Sequence, residues 1–460
     1  MTYKPSKEQF LNSKMFDSNG RFFHKVANRF KLFPYVTQPS TVNDLDSIVG
    51  GYLCRIEGIK PSEKEASELF DELKKEITID LGHEETFYEI IRQLYYNDDG
   101  SIRPINIEFI KQIQCKENAQ LKMIDYLVDV LGNREEMKIA LKAARDQYSR
   151  TNNVLEALIL SKFEYEPVNE ESTIPYFRIT ESLHKVYEED FTYVLGNTQL
   201  SRDHLTDLMS FYYFSYSAQT CLQLNRMLAG DRYDITPLYF SVEWEKTSQS
   251  RLCYTEGWQK LQRSIRRIFA HAVVLELLNQ TEEGSPIVDY IELNNIIKSH
   301  PDLESDIAEE IKAISDEYRS NINDCSEMTN LQKEESPEGR VATEVNYLFN
   351  SVRVQFENVR TGPYTKYSNK LEEYCNLFLK PRGRIGMLLN LSEEMLIFLT
   401  RLCIKDNEQM RLKEVFEEFE KRGVFLDNYS KDQVTDYYER LNLIEKKSDS
   451  GDAKYVKRIL

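Results

Sequence analysis

The sequence predicts a mainly α-helical protein, and three observations lead to this prediction. The chain has 460 residues but only 17 Gly and 13 Pro, so the residues that interrupt helices are scarce. Apolar residues recur at helical spacing along most of the chain, as in Phe87, Ile90, Ile91 and Leu94. Hydrophobic residues make up 41% of the chain, which excludes a disordered protein and is enough for at least one large core.

A multi-helical body is predicted over residues 36–322. Its helices are expected from a Ser62–Glu65 capping box onward, at 117–131 before Gly132, from Ser201 to near Gly230, from near Glu256 to about Asn279, at 287–299 and at 302–320. The polar segment 323–340 predicts a linker. Two connecting helices follow within 341–380, at about 341–360 and 366–379, and Thr361-Gly362-Pro363 is expected to separate them.

The charge distribution limits the contacts that the protein can make with nucleic acid. The net charge is −17, but residues 1–35 carry +5 and residues 381–460 carry zero, which leaves −22 for the residues between them. A negative excess of this size repels nucleic acid at long range. Any DNA binding is therefore expected to come from a local basic patch.

Cysteine usage and hydropathy predict a cytoplasmic protein. The seven cysteines form no CxxC pair and their number is odd, which indicates reduced thiols rather than a disulfide framework. The N-terminal residues are polar, so no signal peptide is expected. The most apolar run, at 268–278, is too short to span a bilayer, so no membrane association is expected.

The motifs of several enzyme classes are absent from the sequence. There is no P-loop, no dinucleotide-binding glycine motif, no HExxH and no GxSxG. Pro301-Asp302 followed by Glu310 and Lys312 matches the letters of a metal-dependent nuclease, but apolar residues at helical spacing favour a plain helix. The segment Glu243-Trp244-Glu245-Lys246 is a second candidate for part of such a nuclease site, but it lacks a convincing acidic residue upstream to complete the site. The sequence therefore predicts no enzyme, no metal and no cofactor.

Residues 381–460 predict a winged helix-turn-helix domain. Ser392 is expected to cap a first helix, Gly423 to end a second, and Ser430 with Gln433 to form a capping box for a third. Two strands follow, at 443–447 and 453–459, around the turn 448–452. Three short helices and a terminal β-hairpin occur in this order in winged helix-turn-helix domains.

The basic residues of this domain are its candidate DNA-binding residues. They are Lys446, Lys447, Lys454, Lys457 and Arg458 in the hairpin, and Lys431 and Arg440 in the third helix. The hairpin cations could contact phosphates in a salt-dependent manner. The third helix is mildly acidic and offers few donors for reading bases. The sequence leaves two interpretations open, which are direct contact with DNA and docking of another protein.

The N-terminal arm, residues 1–35, interleaves aromatic and cationic residues. Such a mixture can stack on bases and neutralise phosphates, and Arg29 and Lys31 are further DNA-binding candidates on this interpretation. The aromatic residues can equally pack on the body of the protein, which is the more common role of Phe. Both interpretations remain open from the sequence.

A cationic stripe is expected on the helix after Glu256. Its members are Lys260, Arg263, Arg266 and Arg267, which lie opposite or beside the apolar face that contains Trp258 and Leu261. A solvated face paired with nearby acids is the plain interpretation. Contact with another subunit or with the DNA backbone is the functional one.

Five blocks of sequence together resemble the DptG (DndG) family. They are Asn28-Arg29-Phe30-Lys31-Leu32-Phe33-Pro34, Gly383-Arg384-Ile385-Gly386, Asn390-Leu391-Ser392-Glu393-Glu394, Lys421-Arg422-Gly423-Val424-Phe425 and Lys446-Lys447-Ser448-Asp449-Ser450-Gly451-Asp452-Ala453. The resemblance runs from the arm to the last residue and is sharp only in these blocks.

The resemblance implies a subunit of a bacterial phosphorothioation-dependent DNA restriction system. Such systems act on DNA in which sulfur replaces a non-bridging phosphate oxygen, and partner subunits would supply ATP hydrolysis and DNA processing. The expected function is therefore a non-catalytic adaptor in anti-phage defence, with at most weak contact to the DNA backbone. The alternatives are a free-standing winged-helix transcription regulator and a divergent metal-dependent nuclease.

Overall fold

The structure is a computed structural model that describes most of the chain. The described residues are 3–35, 45–62, 72–73, 75, 77–78, 82–98, 100, 102–113, 115, 117–148, 153–168, 174–446 and 454–459. They form two compact units. The larger unit comprises the described residues of Met1–Pro39, Tyr176–Leu183 and Phe214–Leu460, and the smaller unit those of Ser40–Pro175 and His184–Tyr213.

Helices dominate the described chain. They are α1 (Lys7–Leu11), α2 (Leu45–Glu57), α3 (Glu84–Tyr95), α4 (Ile107–Lys111), α5 (Asn118–Val130), α6 (Arg134–Tyr148), α7 (Val154–Leu160), α8 (His184–Leu195) and α9 (Thr198–Arg226). They continue with α10 (Gln259–Ile265), α11 (Ile268–Leu278), α12 (Tyr290–Ser299), α13 (Glu304–Ser320), α14 (Arg340–Asn358), α15 (Thr361–Cys375), α16 (Glu393–Ile404), α17 (Leu412–Lys421) and α18 (Asn428–Arg440). The predicted mainly α fold is confirmed.

Among the residues that the structure describes, short strands form three small sheets. The strands are β1 (Ile59–Pro61), β2 (Tyr165–Pro167), β3 (Tyr239–Val242), β4 (Leu379–Pro381), β5 (Met387–Leu391), β6 (Gln409–Arg411), β7 (Phe425–Leu426), β8 (Ile444–Lys446) and β9 (Lys454–Lys457). β1 pairs with β2, a second sheet has the order β4-β5-β3-β7, and a third has the order β6-β9-β8. β3 is parallel to both β5 and β7, so residues 381–460 share a sheet with the helical body. The domain boundary near Pro381 stays a prediction.

The smaller unit contains a cluster of four charges, of which Glu57, Glu108 and Lys111 are largely buried and Arg145 is partly exposed. The Lys111 ammonium is fully buried and lies 2.5 Å from Glu57 and 2.8 Å from Glu108. The Arg145 guanidinium contacts the same two carboxylates at 2.7 and 3.2 Å. Each buried charge therefore has opposite charges beside it, as burial of ionised groups requires. The cluster joins α2, α4 and α6.

The arm packs into the larger unit. Phe22, Phe30 and Phe33 are buried, Phe30 stacks on Phe177, and Phe22 meets Tyr318 edge to face. The backbone also joins this core, because three successive amides, of Asn28 to Phe30, donate to the buried Glu276 carboxylate at 3.0–3.2 Å. This arrangement agrees with the interpretation in which the aromatic residues of the arm pack on the body of the protein.

A closed ring of hydrogen bonds holds His24 of the arm against α13 and α14. Nη1 of Arg360 lies 3.3 Å from His24 Nδ1, and His24 Nε2 lies 3.0 Å from the Tyr318 hydroxyl. Tyr318 donates to Gln355, which donates to Asp324, and Asp324 accepts from Arg360. Since a guanidinium can only donate, His24 Nδ1 must accept and its proton lies on Nε2. The ring therefore fixes a neutral imidazole.

Two predicted helix boundaries are wrong. The single helix expected from Glu256 to Asn279 is a π-helical turn, Tyr254–Trp258, followed by α10 and α11, which are separated at Arg266 and Arg267. Gly257 has non-helical torsions there, and a β-carbon on it would come within 2.6 Å of the Tyr239 carbonyl oxygen. Thr361-Gly362-Pro363 does not separate two helices but begins α15, since proline is tolerated in a first turn.

Other predicted elements agree with the structure. α5 ends before Gly132, whose φ of +70° suits a helix C-terminus, and α9, α12, α13 and α14 lie close to their predicted ranges. Glu65 of the predicted Ser62–Glu65 capping box lies outside the described residues. All seven cysteines have free thiols. In the described part of the chain, every helix is too short or too polar to cross a membrane.

Acid should destabilise the protein through His271, which is fully buried on α11. Its ring stacks on Phe349, and Nδ1 lies 3.1 Å from the Tyr290 hydroxyl. Burial, assisted by Arg267, lowers the pKa of His271 to about 3. The unfolded chain takes up a proton below about pH 6.5 and the folded chain does not, so stability falls as the pH drops through that value.

Lowering the pH from 7.5 to 5 should reduce the free energy of unfolding by about 2 kcal/mol through His271 alone. His24 acts with the same sign, because burial and Arg360 lower its pKa to about 3. Urea unfolding across this pH range should show a shallower loss in His271→Gln, which keeps an acceptor for Tyr290. An identical loss in wild type and variant would contradict the assignment.

Candidate interaction surface of residues 387–459

The C-terminal elements build one surface of the larger unit. Their order is β5, α16, β6, α17, β7, α18, β8 and β9, and β9 pairs with both β6 and β8 in antiparallel fashion. The Ser392 hydroxyl accepts from the Met395 amide at 3.1 Å, so the predicted cap of the first helix is confirmed. Gly423 follows α17 with a φ of +82°, where a β-carbon would lie 2.9 Å from Ser215 Oγ.

The predicted capping box of the third helix is wrong. α18 begins two residues before Ser430, and Asp427 is its N-cap, accepting from the Ser430 amide at 2.9 Å. The Ser430 hydroxyl is instead 2.9 Å from Glu245 and 2.8 Å from Arg251. The Ser430 hydroxyl therefore contacts the segment after β3 instead of capping its own helix. The sequence could not predict this contact, because the two segments are far apart along the chain.

A buried clamp fixes the start of α18. It consists of Arg251, whose guanidinium lies between two carboxylates, 3.1 Å from Glu245 and 2.5 Å from Asp427. The Glu245 side chain is fully buried, and those of Arg251 and Asp427 are 13% and 11% exposed. Burial raises the pKa of Glu245 above its usual value, although Arg251 and Ser430 act in the opposite direction. The clamp holds α18 against the ends of β3 and β7.

Three of the predicted DNA-binding cations are paired with acids of the same surface. Lys431 lies 3.0 Å from Glu420, and Lys454 lies 3.1 Å from Glu439. Arg458 lies 2.7 Å from Asp406. A phosphate would have to compete with these carboxylates, so each pairing reduces the contribution of the cation to DNA binding.

The other candidates of the hairpin and third helix differ from these. Lys457 is exposed, with Nζ 3.4 Å from the Asn442 carbonyl oxygen, and the exposed Arg440 lies over the Tyr437 ring at 5.7 Å. The backbone of Lys446 is paired with that of Lys454 in the β8–β9 register. Lys447 and the turn 448–452 lie outside the described residues.

A cleft of about 590 Å³ lies between α17, α18 and β9. Its lining residues include Leu412 and Phe416 of α17, Thr435 of α18 and Lys454 of β9. Leu412 stands at helical spacing from the buried Val415, Phe416 and Phe419, but it is only half-buried in the structure. The pattern could not predict this cleft, because its walls come from three elements whose packing no local signal describes.

The remaining candidate cations lie elsewhere in the larger unit. The Arg29 side chain is half-buried, and Lys31 lies 5.4 Å from the centre of the Tyr176 ring. In the cationic stripe, Lys260 pairs with Glu256 at 3.0 Å, Arg266 pairs with Glu372 at 3.2 Å, and Arg267 donates to Asn225. Arg263 is exposed and donates to the Gln259 carbonyl oxygen. Two of the four stripe residues, Lys260 and Arg266, are therefore paired with acids, as the interpretation of a solvated, paired face expects.

The nuclease-like residues are not arranged as a metal site. Glu310 and Lys312 lie on α13, and Asp302 lies in the 3₁₀ turn Pro301–Leu303 before it, as the helical interpretation predicts. Glu310 accepts from the Lys7 amide at 3.3 Å. Within the described ranges, no three acidic, His or Cys side chains are placed to share a metal ion.

The blocks that carry the family resemblance lie mostly at structural junctions. Residues 28–30 bind Glu276, residues 383–386 form the turn between β4 and β5, and residues 421–425 connect α17 to β7. No protein-family model matches the chain, and no curated protein matches it either. The resemblance therefore depends on these blocks alone.

Proposed function

We propose that the protein is a non-catalytic adaptor subunit of a phosphorothioation-dependent DNA restriction complex. In this role it docks partner subunits that hydrolyse ATP and process DNA. The observation that carries the proposal is the C-terminal surface, where an ordered scaffold presents a cleft and a set of internally paired charges. Such a surface suits contact with a protein better than contact with a polyanion.

We interpret the C-terminal elements as a winged helix-turn-helix. The order of three helices and three strands, with β9 between β6 and β8, supports this interpretation. The mildly acidic third helix argues for the docking role of such a domain. Its exposed side chains include Asp432, Asp436 and Glu439, which a DNA groove would repel.

Contact with the DNA backbone is the second role that we propose, and it is weak. It would use Arg440 and Lys457, together with Lys446 and Lys447 of the predicted hairpin. Lys431, Lys454 and Arg458 would contribute less, because each is paired with an acid. A free-standing transcription regulator is less well supported, since base reading needs donors that α18 lacks. The nuclease alternative lacks a geometric basis, because Glu310 and Lys312 share a helix.

DNA binding by the full chain should be weak, nearly independent of sequence and sensitive to salt. We expect roughly two phosphate contacts, each adding about 0.9 to the slope of log K against log salt. A fluorescence titration of two unrelated duplexes at several salt concentrations measures the slope. Lys446→Ala/Lys447→Ala should flatten it, while Lys454→Ala should change it little. A strong preference between duplexes would favour the regulator.

The adaptor role also predicts the behaviour of the isolated protein. Incubated with supercoiled plasmid and Mg²⁺ or Mn²⁺, it should leave the plasmid intact, and it should release no phosphate from ATP. Metal-dependent nicking that disappears in Glu310→Gln or Lys312→Ala would contradict the adaptor function and show that the protein is a nuclease.

A further inference from the structure

The geometry points to the cleft between α17, α18 and β9 as the docking site for a short segment of a partner subunit. The segment has an acidic end, an apolar anchor and a basic end. This inference rests on the proposed function, because it assigns the surface through which the adaptor would hold a partner.

The floor of the cleft is apolar. Phe416 is 9% exposed, Leu412 is half-buried at the first position of α17, and Thr435 stands opposite on α18. A volume of about 590 Å³ lies within the usual range for ligand sites and accommodates several side chains. A bulky apolar residue seated here would remove the exposed part of Leu412 from water, which is the kind of contact that dominates binding energy.

The charges on the rim are separated along α17. Arg411 and Lys413 stand at the helix start, and Lys454 lies at the same end because its neighbour Tyr455 pairs with Arg411 in the β6–β9 register. Glu417 and Glu420 lie one to two turns further along, and Glu417 pairs with Lys413 at 3.4 Å, which offsets part of the charge at both ends. From residue 412 to residue 420 the rise of an α-helix gives about 12 Å.

The opposite end of the cleft is mainly acidic. Asp432 of α18 lines the cleft beside Glu417 and Glu420, and Lys431 offsets part of this charge through its contact with Glu420. A segment with a carboxylate toward Arg411 and a basic residue toward Asp432 complements both ends. A DNA strand is anionic along its whole length and would be repelled by the acidic end. The separation of charge therefore favours a protein segment over nucleic acid.

The test measures binding of the full chain to the purified ATPase subunits of the proposed complex by biolayer interferometry. The double variant Lys413→Glu/Glu417→Lys reverses the rim charges at positions that are 88% and 53% exposed, where folding is insensitive to charge. It should weaken binding by about tenfold, which corresponds to about 1.4 kcal/mol. Leu412→Asp should weaken binding by about 30-fold, as expected for loss of an apolar anchor.

A matched control distinguishes the cleft from charge reversal in general. Arg353 and Glu357 on α14 form a pair of the same spacing and order, 2.8 Å apart, outside the cleft. Arg353→Glu/Glu357→Arg should bind the ATPase subunits as wild type does. Thermal unfolding of every variant checks that the fold is retained, and the exposed double variant decides the question if Leu412→Asp is destabilised.

Each outcome is decisive. Weaker binding in the cleft variants with a normal control supports the inference. Binding unchanged in the cleft variants overturns the inference and leaves the adaptor function intact. Failure of the wild-type chain to bind the ATPase subunits overturns the proposed function itself. Cleft variants that lose affinity for a 20-base-pair duplex, but not for the ATPase subunits, would show that the cleft faces DNA.

Discussion

Replacing Arg251 with Ala should reduce the free energy of unfolding by about 4 kcal/mol, the largest effect that we expect from a single substitution. The guanidinium lies between the carboxylates of Glu245 and Asp427. Its removal leaves two buried negative charges close together without a counter-charge. Breaking a buried ion pair is costly for this reason, whereas an exposed pair contributes little.

Neutralising one of the two acids, Glu245, should restore part of this loss. In Arg251→Ala/Glu245→Gln, the fully buried acid no longer carries a charge, so we expect at least about 1 kcal/mol to be regained. Equilibrium urea unfolding at pH 7.5 measures both variants. Arg353→Ala, which breaks a more exposed pair on α14, should cost less than about 1 kcal/mol. A similar small loss in Arg251→Ala would show that the clamp does not hold α18.

Replacing Glu276 with Ala should cost about 3 kcal/mol and loosen the N-terminal arm. Three backbone amides, of Asn28, Arg29 and Phe30, donate to this carboxylate, and Glu276 itself is fully buried. Without an acceptor these amides lose their hydrogen bonds in a region that water reaches poorly, at about 1–3 kcal/mol for each amide that stays buried. Part of the arm is then expected to detach and recover hydrogen bonds to water.

Limited proteolysis reports the detachment directly. Cleavage within residues 3–35 should be faster in Glu276→Ala than in wild type, and Glu276→Gln should lie between them because its single carbonyl oxygen can accept fewer of the three bonds. Glu282→Ala is the control, since Glu282 also pairs with the arm, through Lys4, but both side chains are more than half exposed. Equal cleavage rates in the two alanine variants would contradict the role of Glu276.

Helical periodicity predicted most of the helices because their apolar faces are local in sequence. α13 and α14 show this, since their buried residues recur every three or four positions. The π-helical turn before α10 was not predictable, because it depends on the close approach of Gly257 to the backbone of β3. The start of α18 was misplaced because Ser430 interacts with Arg251, which is 179 residues away.

The candidate surface was predicted in composition but not in arrangement. The basic residues of the hairpin and the third helix are evident in the sequence. The partners of three of them, Glu420, Glu439 and Asp406, come from segments that only the tertiary fold brings beside them. Pattern alone therefore overestimates the free positive charge. The cleft was missed for the same reason, since α17, α18 and β9 each contribute only part of it.

The adaptor function is tested most directly by reconstitution. The full chain is mixed with the purified ATPase subunits of the proposed complex, without DNA or nucleotide, and the mass of the assembly is measured by size-exclusion chromatography with light scattering. We predict a stable complex of defined stoichiometry that contains the chain, while the chain alone hydrolyses no ATP and cuts no DNA. Separate elution of the chain and the ATPase subunits at micromolar concentrations would contradict the account.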